Sequence, residues 1–223
     1  MLIYCGIYLL ALVGAAPTEP VHFDTQIVPV LTKAGCNAGA CHGAAVGRGG
    51  FKLSLYGGNP AVDYDAIVRQ VAGRRINLAR PASSLLLLKP TGILDHGGGY
   101  RLDAEKAGAQ RLLRWIEGGA QRGLPRRLVR FKVLPADYLA AKPGEQLKLR
   151  AEAEFSDGQV ADVTDWTVFS PEDASAVDVD PTTAQITLLR RGRHVVVARF
   201  LDRVVPLQFT VPLSDQAVTL PVA

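Results

Sequence analysis

The sequence feature that most restricts what this chain can fold into is the string Gly35–Gly43, which reads Gly-Cys-Asn-Ala-Gly-Ala-Cys-His-Gly. It places the thiols of Cys36 and Cys41 five positions apart and puts His42 directly after the second thiol. A disulfide across so short a loop contributes little to stability, because little chain entropy is removed. The two cysteines are therefore expected to serve chemistry rather than to staple the fold.

Three interpretations of this string are open from its residues alone. Covalent attachment of haem c needs two thiols that add to the vinyl groups and a histidine beside the second thiol that binds the iron. The usual spacing has two residues between the cysteines, and the four here are small enough to bulge outward. Alternatively, Cys36 and Cys41 form a local disulfide after export, or they bind zinc together with His42 and a fourth ligand, His96 or His22.

The first half of the chain is helical at its two ends and rich in glycine between them. Apolar residues at helical spacing predict a helix from Asp24 to Gly35, with Pro29 near its first turn. A second amphipathic pattern predicts a closing helix that Asp103 caps and Gly118-Gly119 ends. The glycine-rich middle is expected to wrap around a bound cofactor.

The second half alternates apolar and polar residues, which predicts strands. The pattern over 147–155 predicts one half-buried strand, and further short strands are expected at 160–163, 166–169, 176–179, 185–188, 194–200 and 204–211. Turn residues separate them at the spacing typical of a β-sandwich. The chain is thus expected to be multidomain, with a small all-α domain over 20–122 and an all-β sandwich over 128–212.

Several segments of the first half together resemble the planctomycete-type cytochrome c domain, a class I cytochrome c-like module, over roughly residues 22–120. The segments that carry this resemblance are Val30–Gly43, Gly50–Leu55, Lys89–Thr91, His96–Gly99 and Trp115–Ala120. Residues 128–212 resemble the bacterial immunoglobulin-like group 2 domain, through Phe155–Val160 and Asp162–Thr164.

The first resemblance implies one haem c, with thioether bonds to Cys36 and Cys41 and with His42 as the proximal iron ligand. Methionine cannot be the distal ligand, since Met1 is the only one in the chain. His96 is the best substitute, because three following glycines let the backbone approach the porphyrin closely. In the alternative, His96 is a loop residue and the iron has five ligands.

Other residues around the haem are expected from their type and position. The packing candidates are Phe51, Leu53, Leu55, Tyr56, Leu86, Leu88 and Trp115, and the candidates for pairing with the propionates are Lys89 and Arg101. His22 is expected at the entry of the first helix, and His194 is expected to be structural or exposed. No Gly-x-Ser-x-Gly or phosphate-loop motif accompanies the glycines, and no catalytic residue is expected.

These patterns predict an exported electron-transfer module, periplasmic or at the cell surface. Residues 1–16 resemble a signal peptide, with an apolar run over 2–13 and small residues at 14–16, although no basic residue precedes the run. The expected partners are a redox protein or downstream domains of a longer chain. The net charge of +4 is too diffuse for nucleic-acid binding, and no membrane span is expected beyond an N-terminal anchor. The alternative functions are a haem-free surface adhesion or structural protein with a disulfide or zinc site, and a five-coordinate haem enzyme or sensor.

Overall fold

A computed structural model describes residues 20–216 of the chain. The signal peptide expected at residues 1–16 lies outside the described residues. Helical elements occupy the first part of the described chain, and strands occupy the second. The broad expectation of a small helical part followed by an all-β part is therefore confirmed.

The helical unit, residues 20–122, contains four α-helices joined by loops. A π-helical turn at Phe23–Ile27 leads into α1 (Val28–Lys33), and α2 (Pro60–Val68), α3 (Leu85–Leu88) and α4 (Ala107–Glu117) follow, with single 3-10 turns at Leu55–Gly57, Val71–Gly73 and Pro81–Ser83. Pro29 stands in the first turn of α1, as predicted, because its missing N–H has no intrahelical acceptor there. The helices pack around Phe23, Leu112 and Trp115, which are almost fully buried.

The closing helix differs from its prediction at one end. It ends at Glu117 before Gly118, as expected, but it begins at Ala107, where Lys106 is the capping residue and no side chain caps the helix. Asp103 lies one turn earlier and accepts a hydrogen bond from the N–H of Glu105 at 3.0 Å. The predicted Asp103 cap is therefore wrong, because this carboxylate stabilises the preceding turn.

The β unit, residues 128–211, contains ten strands. They are β1 (Leu128–Leu134), β2 (Asp137–Leu139), β3 (Glu145–Lys148), β4 (Arg150–Phe155), β5 (Val160–Asp162), β6 (Val168–Pro171), β7 (Val177–Val179), β8 (Gln185–Leu188), β9 (Gly192–Phe200) and β10 (Arg203–Val211). A 3-10 turn, Thr164–Trp166, separates β5 from β6. Within the described residues, no helix is both long enough and apolar enough to cross a lipid bilayer.

The strands form three small sheets that share one core. Their orders are β1-β4-β5, β2-β10-β9-β6 and β3-β8-β7, and all pairs are antiparallel except β2 with β10. The core is apolar and contains the nearly fully buried side chains of Leu149, Ile186, Phe200 and Phe209. The arrangement is that of a β-sandwich, in which alternate residues of each strand enter the core.

The predicted single strand over 147–155 is two strands in two sheets. β3 pairs with β8, whereas β4 pairs with β1 and β5. Between them the N–H of Leu149 donates to the carbonyl of Ala184 at 2.9 Å. The alternation of side chains continues through this break, so the local pattern gave no sign of the change of partner.

Candidate functional site

The Gly35–Gly43 segment forms a compact loop directly after α1. The N–H of Cys36 donates to Leu31 at 2.9 Å, and the N–H of His42 donates back to the carbonyl of Cys36 at 3.0 Å. A β-carbon on Gly43 would lie only 2.1 Å from the carbonyl oxygen of Asn37, so no larger residue fits at that position. The loop therefore turns back on itself tightly, and its closing hydrogen bond holds Cys36 and His42 beside each other.

The imidazole of His42 is fixed by the strand-like segment that follows the loop. Its Nδ1 lies 2.9 Å from the carbonyl oxygen of Phe51, and its ring packs against the Phe51 ring at 4.6 Å. Because a carbonyl only accepts hydrogen bonds, Nδ1 carries the proton and Nε2 keeps its lone pair. Burial lowers the pKa of His42, which favours this neutral form at neutral pH.

His96 has the same arrangement and lies opposite His42. Its Nδ1 lies 3.0 Å from the carbonyl oxygen of Gly99, so this nitrogen carries a proton and Nε2 is the nitrogen left for a ligand. The two rings are nearly parallel, with an angle of 17° between their planes, and their centroids are 6.1 Å apart. The structure thus brings together two histidines that are 54 positions apart in the sequence, as the prediction of paired ligands requires.

Cys36, His42 and His96 all line one cavity of about 590 Å³. This volume is within the range of small-molecule and cofactor sites in proteins. Its walls are largely apolar, and the apolar side chains come from several separate segments of the helical unit: Leu31, Phe51, Leu53, Val71, Leu85, Leu86 and Pro90. Of the packing residues predicted from the sequence, Phe51, Leu53 and Leu86 line the cavity.

The other predicted contacts lie elsewhere. Trp115 is buried in the helical core, and Leu55 and Tyr56 are partly exposed on the surface. Lys89 lines the cavity, but Arg101 does not; its Nε donates to the carbonyl of Gly98 at 2.7 Å instead. Leu88 is not among the lining residues either, so four of the nine predicted contacts line the cavity.

The charged part of the cavity wall is entirely positive. Four cationic side chains line it, namely Arg48, Arg74, Arg75 and Lys89, and no carboxylate does. The guanidinium of Arg75 lies 4.3 Å from the centre of the Phe51 ring and donates to the carbonyl of Ala66 at 2.8 Å. The three arginines were not predicted from the sequence. The features that could have indicated them are the glycines beside Arg48 and the basic pair Arg74-Arg75.

The two cysteines have different surroundings. Cys36 lines the cavity, and burial raises the pKa of its thiol to about 11. Cys41 is not among the lining residues; it is 8% exposed, and its Sγ lies 4.0 Å from Nη2 of Arg101. Both thiols are free in the structure, so the disulfide alternative finds no support.

The zinc alternative likewise finds no support in the described part of the chain. Among residues 20–216, no three His, Cys, Asp or Glu side chains are grouped closely enough to hold a metal ion. His22 lies at the entry to the π-helical turn, close to Gly123, and does not line the cavity that contains Cys36. His194 lies in β9, where its Nε2 is 2.9 Å from the carbonyl oxygen of Arg190.

Comparisons with known proteins give no family for this chain. No family model matches it, and no curated protein matches it. The similar solved structures include domains 4 and 5 of the S-layer protein SbsC (11% identity, TM-score 0.32, covering 40% of this chain and 54% of that one). They also include SbsC domains 1–6 (11% identity, TM-score 0.32, 40% and 13%) and a mutant of EHEC O157:H7 intimin (22% identity, TM-score 0.27, 39% and 49%). The chain spans about half or less of each of these proteins.

These findings contradict the assignment of residues 22–120 to the cytochrome c family. No family model, for cytochrome c or for any other family, matches the chain. No cluster of metal-binding groups is present in residues 20–216 either. The predicted function as a c-type electron-transfer module is contradicted on the same grounds, and so is the description of the chain as an iron-binding cytochrome.

Proposed function

We propose that this chain is a structural module of an exported surface protein, in which the β unit supports a helical unit that binds one anionic, largely apolar ligand. The observation that carries the proposal is the cavity wall, which combines seven apolar side chains with four cations and no carboxylate. A neutral or cationic ligand would leave those cations unpaired, whereas an anionic one pairs with them.

The support role is inferred for the β unit. Its three sheets and single core are consistent with an immunoglobulin-like sandwich, a fold that presents or spaces other domains. The apolar run over residues 2–13, followed by small residues, supports export. Partners at the surface, or further domains of a longer chain, stay predictions.

One haem c stays the cofactor that we propose for the cavity, with Cys36, Cys41 and His42 as its attachment residues and His96 as the distal ligand. The specific observation in its favour is the pair of parallel imidazoles. Two ring nitrogens that bind one metal ion lie about 4 Å apart, given metal–nitrogen bonds of roughly 2.0 Å, and ring centres 6.1 Å apart accommodate that separation. Bound haem would supply an iron atom, which His42 and His96 would hold. The position of Cys41 away from the cavity wall fits the second thioether less well.

The proposal is tested by titrating the purified chain with iron protoporphyrin IX and with its dimethyl ester, which lacks the two carboxylates. We expect one binding site per chain, and a dissociation constant that is at least tenfold higher for the ester than for the acid. Replacing Arg74 by Ala is expected to weaken binding of the acid but not of the ester, because the guanidinium lines the cavity. The matched control is Arg193→Ala in β9, which carries the same charge change on the exposed surface.

The outcomes distinguish the general proposal, an anionic and largely apolar ligand, from the specific proposal, haem c. An absorption spectrum of two-histidine ligation that is lost in His96→Ala supports haem, and a pigment that survives denaturation after expression with haem maturation supports the cysteines. Tight binding without either signature supports an anionic apolar ligand and excludes haem c. If neither probe binds, or if acid and ester bind equally, the anionic-ligand proposal is wrong.

A further inference from the structure

The cysteine loop is held in place by the β unit as well as by its own helix. Lys33 is the last residue of α1, three positions before Cys36, and it is partly buried. Its Nζ donates to the carbonyl oxygen of Thr167 at 2.6 Å and lies 5.9 Å from the centre of the Phe169 ring. The amine that ends α1 therefore finds its hydrogen-bond acceptor in the other unit.

A second contact reaches the same loop from its other side. The N–H of Tyr56 donates to the carbonyl of Asn37 at 3.1 Å, so the 55–57 turn and the cysteine loop are joined by their backbones. The guanidinium of Arg199, in β9, lies 4.7 Å from the centre of the Tyr56 ring. The β unit thus contacts both the segment before Cys36 and the turn that holds Asn37.

These contacts come from one small area of the sandwich, which we call the docking patch: Thr167, Phe169 and Arg199. β6 and β9 are paired so that Val168 lies opposite Arg199. Thr167 and Phe169 flank Val168 in the sequence, so the backbones of the three patch residues lie close together, with the side chain of Arg199 on one face of the sheet and that of Phe169 on the other. Because the core of the sandwich fixes paired strands rigidly, the docking patch is a rigid support.

The free-energy cost of losing the hydrogen bond from Lys33 to Thr167 depends on how far the Lys33 amine is buried. Burial lowers the pKa of the Lys33 amine, and the carboxylates of Asp165 and Asp180 in the β unit partly oppose this effect. A buried cation without its acceptor is strongly unfavourable, so α1 either keeps its place on the patch or moves its last turn toward water. Movement of that turn displaces Cys36.

We propose that the docking patch positions the cysteine loop and through it the cavity wall, so that the β unit acts on the binding site although none of its described residues lines the cavity. The inference rests on the proposed ligand-binding function in one respect, since positioning matters for binding only if the cavity binds a ligand. The positioning itself is a property of the ligand-free chain.

The test is amide hydrogen exchange of residues 35–43 in the full chain without ligand. In Lys33→Met, which keeps the apolar stem, we expect exchange in this segment to become about tenfold faster, because loss of a charge-assisted hydrogen bond favours local opening by that order. Arg199→Gln, a milder change on a partly exposed residue, is expected to act in the same direction. The controls are Lys148→Met and Arg193→Gln, which remove the same charges from exposed positions of the β unit.

The two proposals fail in different ways. If Lys33→Met and Arg199→Gln leave exchange of residues 35–43 at the control level, the positioning role of the patch is wrong. If exchange rises as expected and iron protoporphyrin IX binds more weakly to the variants than to the controls, both proposals hold. If exchange rises but no probe binds even the unaltered chain, positioning holds and the ligand-binding function is wrong.

Discussion

Individual residues of the site show how burial alone can decide chemical reactivity. The thiol of Cys36 is bordered by apolar side chains and by the second cysteine, and its pKa of about 11 keeps it protonated at neutral pH. Since only the thiolate is a good nucleophile, a protonated thiol is slow to react even when a reagent can reach it.

We expect Cys36 in the folded, ligand-free chain to react with iodoacetamide at pH 8 about a hundredfold more slowly than the same thiol in urea. An ordinary cysteine has a pKa of about 8.5, so unfolding raises its thiolate fraction by about that factor. The measurement is a mass-spectrometric time course on the unaltered chain, in which fragmentation of the labelled peptide distinguishes Cys36 from Cys41.

The same shift makes stability depend on pH. Because the folded pKa lies above the unfolded one, this contribution of Cys36 is fully present below about pH 8.5. It is lost as the pH rises toward about 11. Equal alkylation rates in the folded and unfolded chain would show that the thiol is not protected.

At the scale of elements, α2 is attached to the segment beside the cavity through one buried carboxylate. Asp63 is 1% exposed, and its two oxygens accept from the N–H of Ser54 at 2.5 Å and from the hydroxyl of Ser54 at 2.6 Å. Ser54 directly follows Leu53, which lines the cavity. The hydrogen bonds therefore connect the position of α2 to the cavity wall.

We expect Asp63→Ala to lower the free energy of unfolding by about 2–4 kcal/mol, since it leaves a buried N–H and hydroxyl without their acceptor. The control, Asp65→Ala, removes an exposed carboxylate whose ion pair with Arg69 is worth at most about 0.5 kcal/mol. Urea unfolding monitored by circular dichroism measures both values. Similar losses for the two variants would contradict the role given to Asp63.

The elements also show what local sequence patterns can and cannot predict. The alternation in β4 identified its buried face, because Ala151, Ala153 and Phe155 do enter the core. The helices α2 and α3 were not predicted, since α2 directly follows a glycine-rich stretch and the four leucines of α3 have no periodicity. Strand partners were not predictable, because pairing depends on residues that are distant in sequence.

The residues of the site were likewise predicted from the sequence only in part. Cys36, His42 and His96 were singled out from their chemistry, and the structure places all three at one cavity. The arginines of the cavity wall come from two separate segments, so only the folded chain shows that their charges meet. The family and the function inferred from the first resemblance were wrong, and the domain boundary expected near residues 122–128 stays a prediction.

At the scale of the whole molecule, the two units share side chains. Trp166 packs against the cores of both units, and the guanidinium of Arg111, in α4, lies 4.0 Å from the centre of its ring. Burial lowers the pKa of Arg111, which indicates that the contact excludes water. Units joined in this way are expected to unfold together.

We expect one cooperative unfolding transition for the unaltered chain and two separate transitions for Trp166→Ala, with a loss of about 2–4 kcal/mol of stability. Calorimetry, together with near- and far-ultraviolet circular dichroism, distinguishes the two cases. Trp115→Phe is the control, because it weakens only the core of the helical unit. Two transitions in the unaltered chain would show that the units are energetically independent.

The absence of any carboxylate among the residues that line the cavity has a practical consequence for handling the protein. Four like charges around one space repel one another, and the repulsion falls only when an anion enters or salt screens it. The protein will therefore differ in thermal stability between phosphate or citrate buffers and chloride buffers. The buffer anion will also set the apparent affinity of every ligand that competes with it for the cavity.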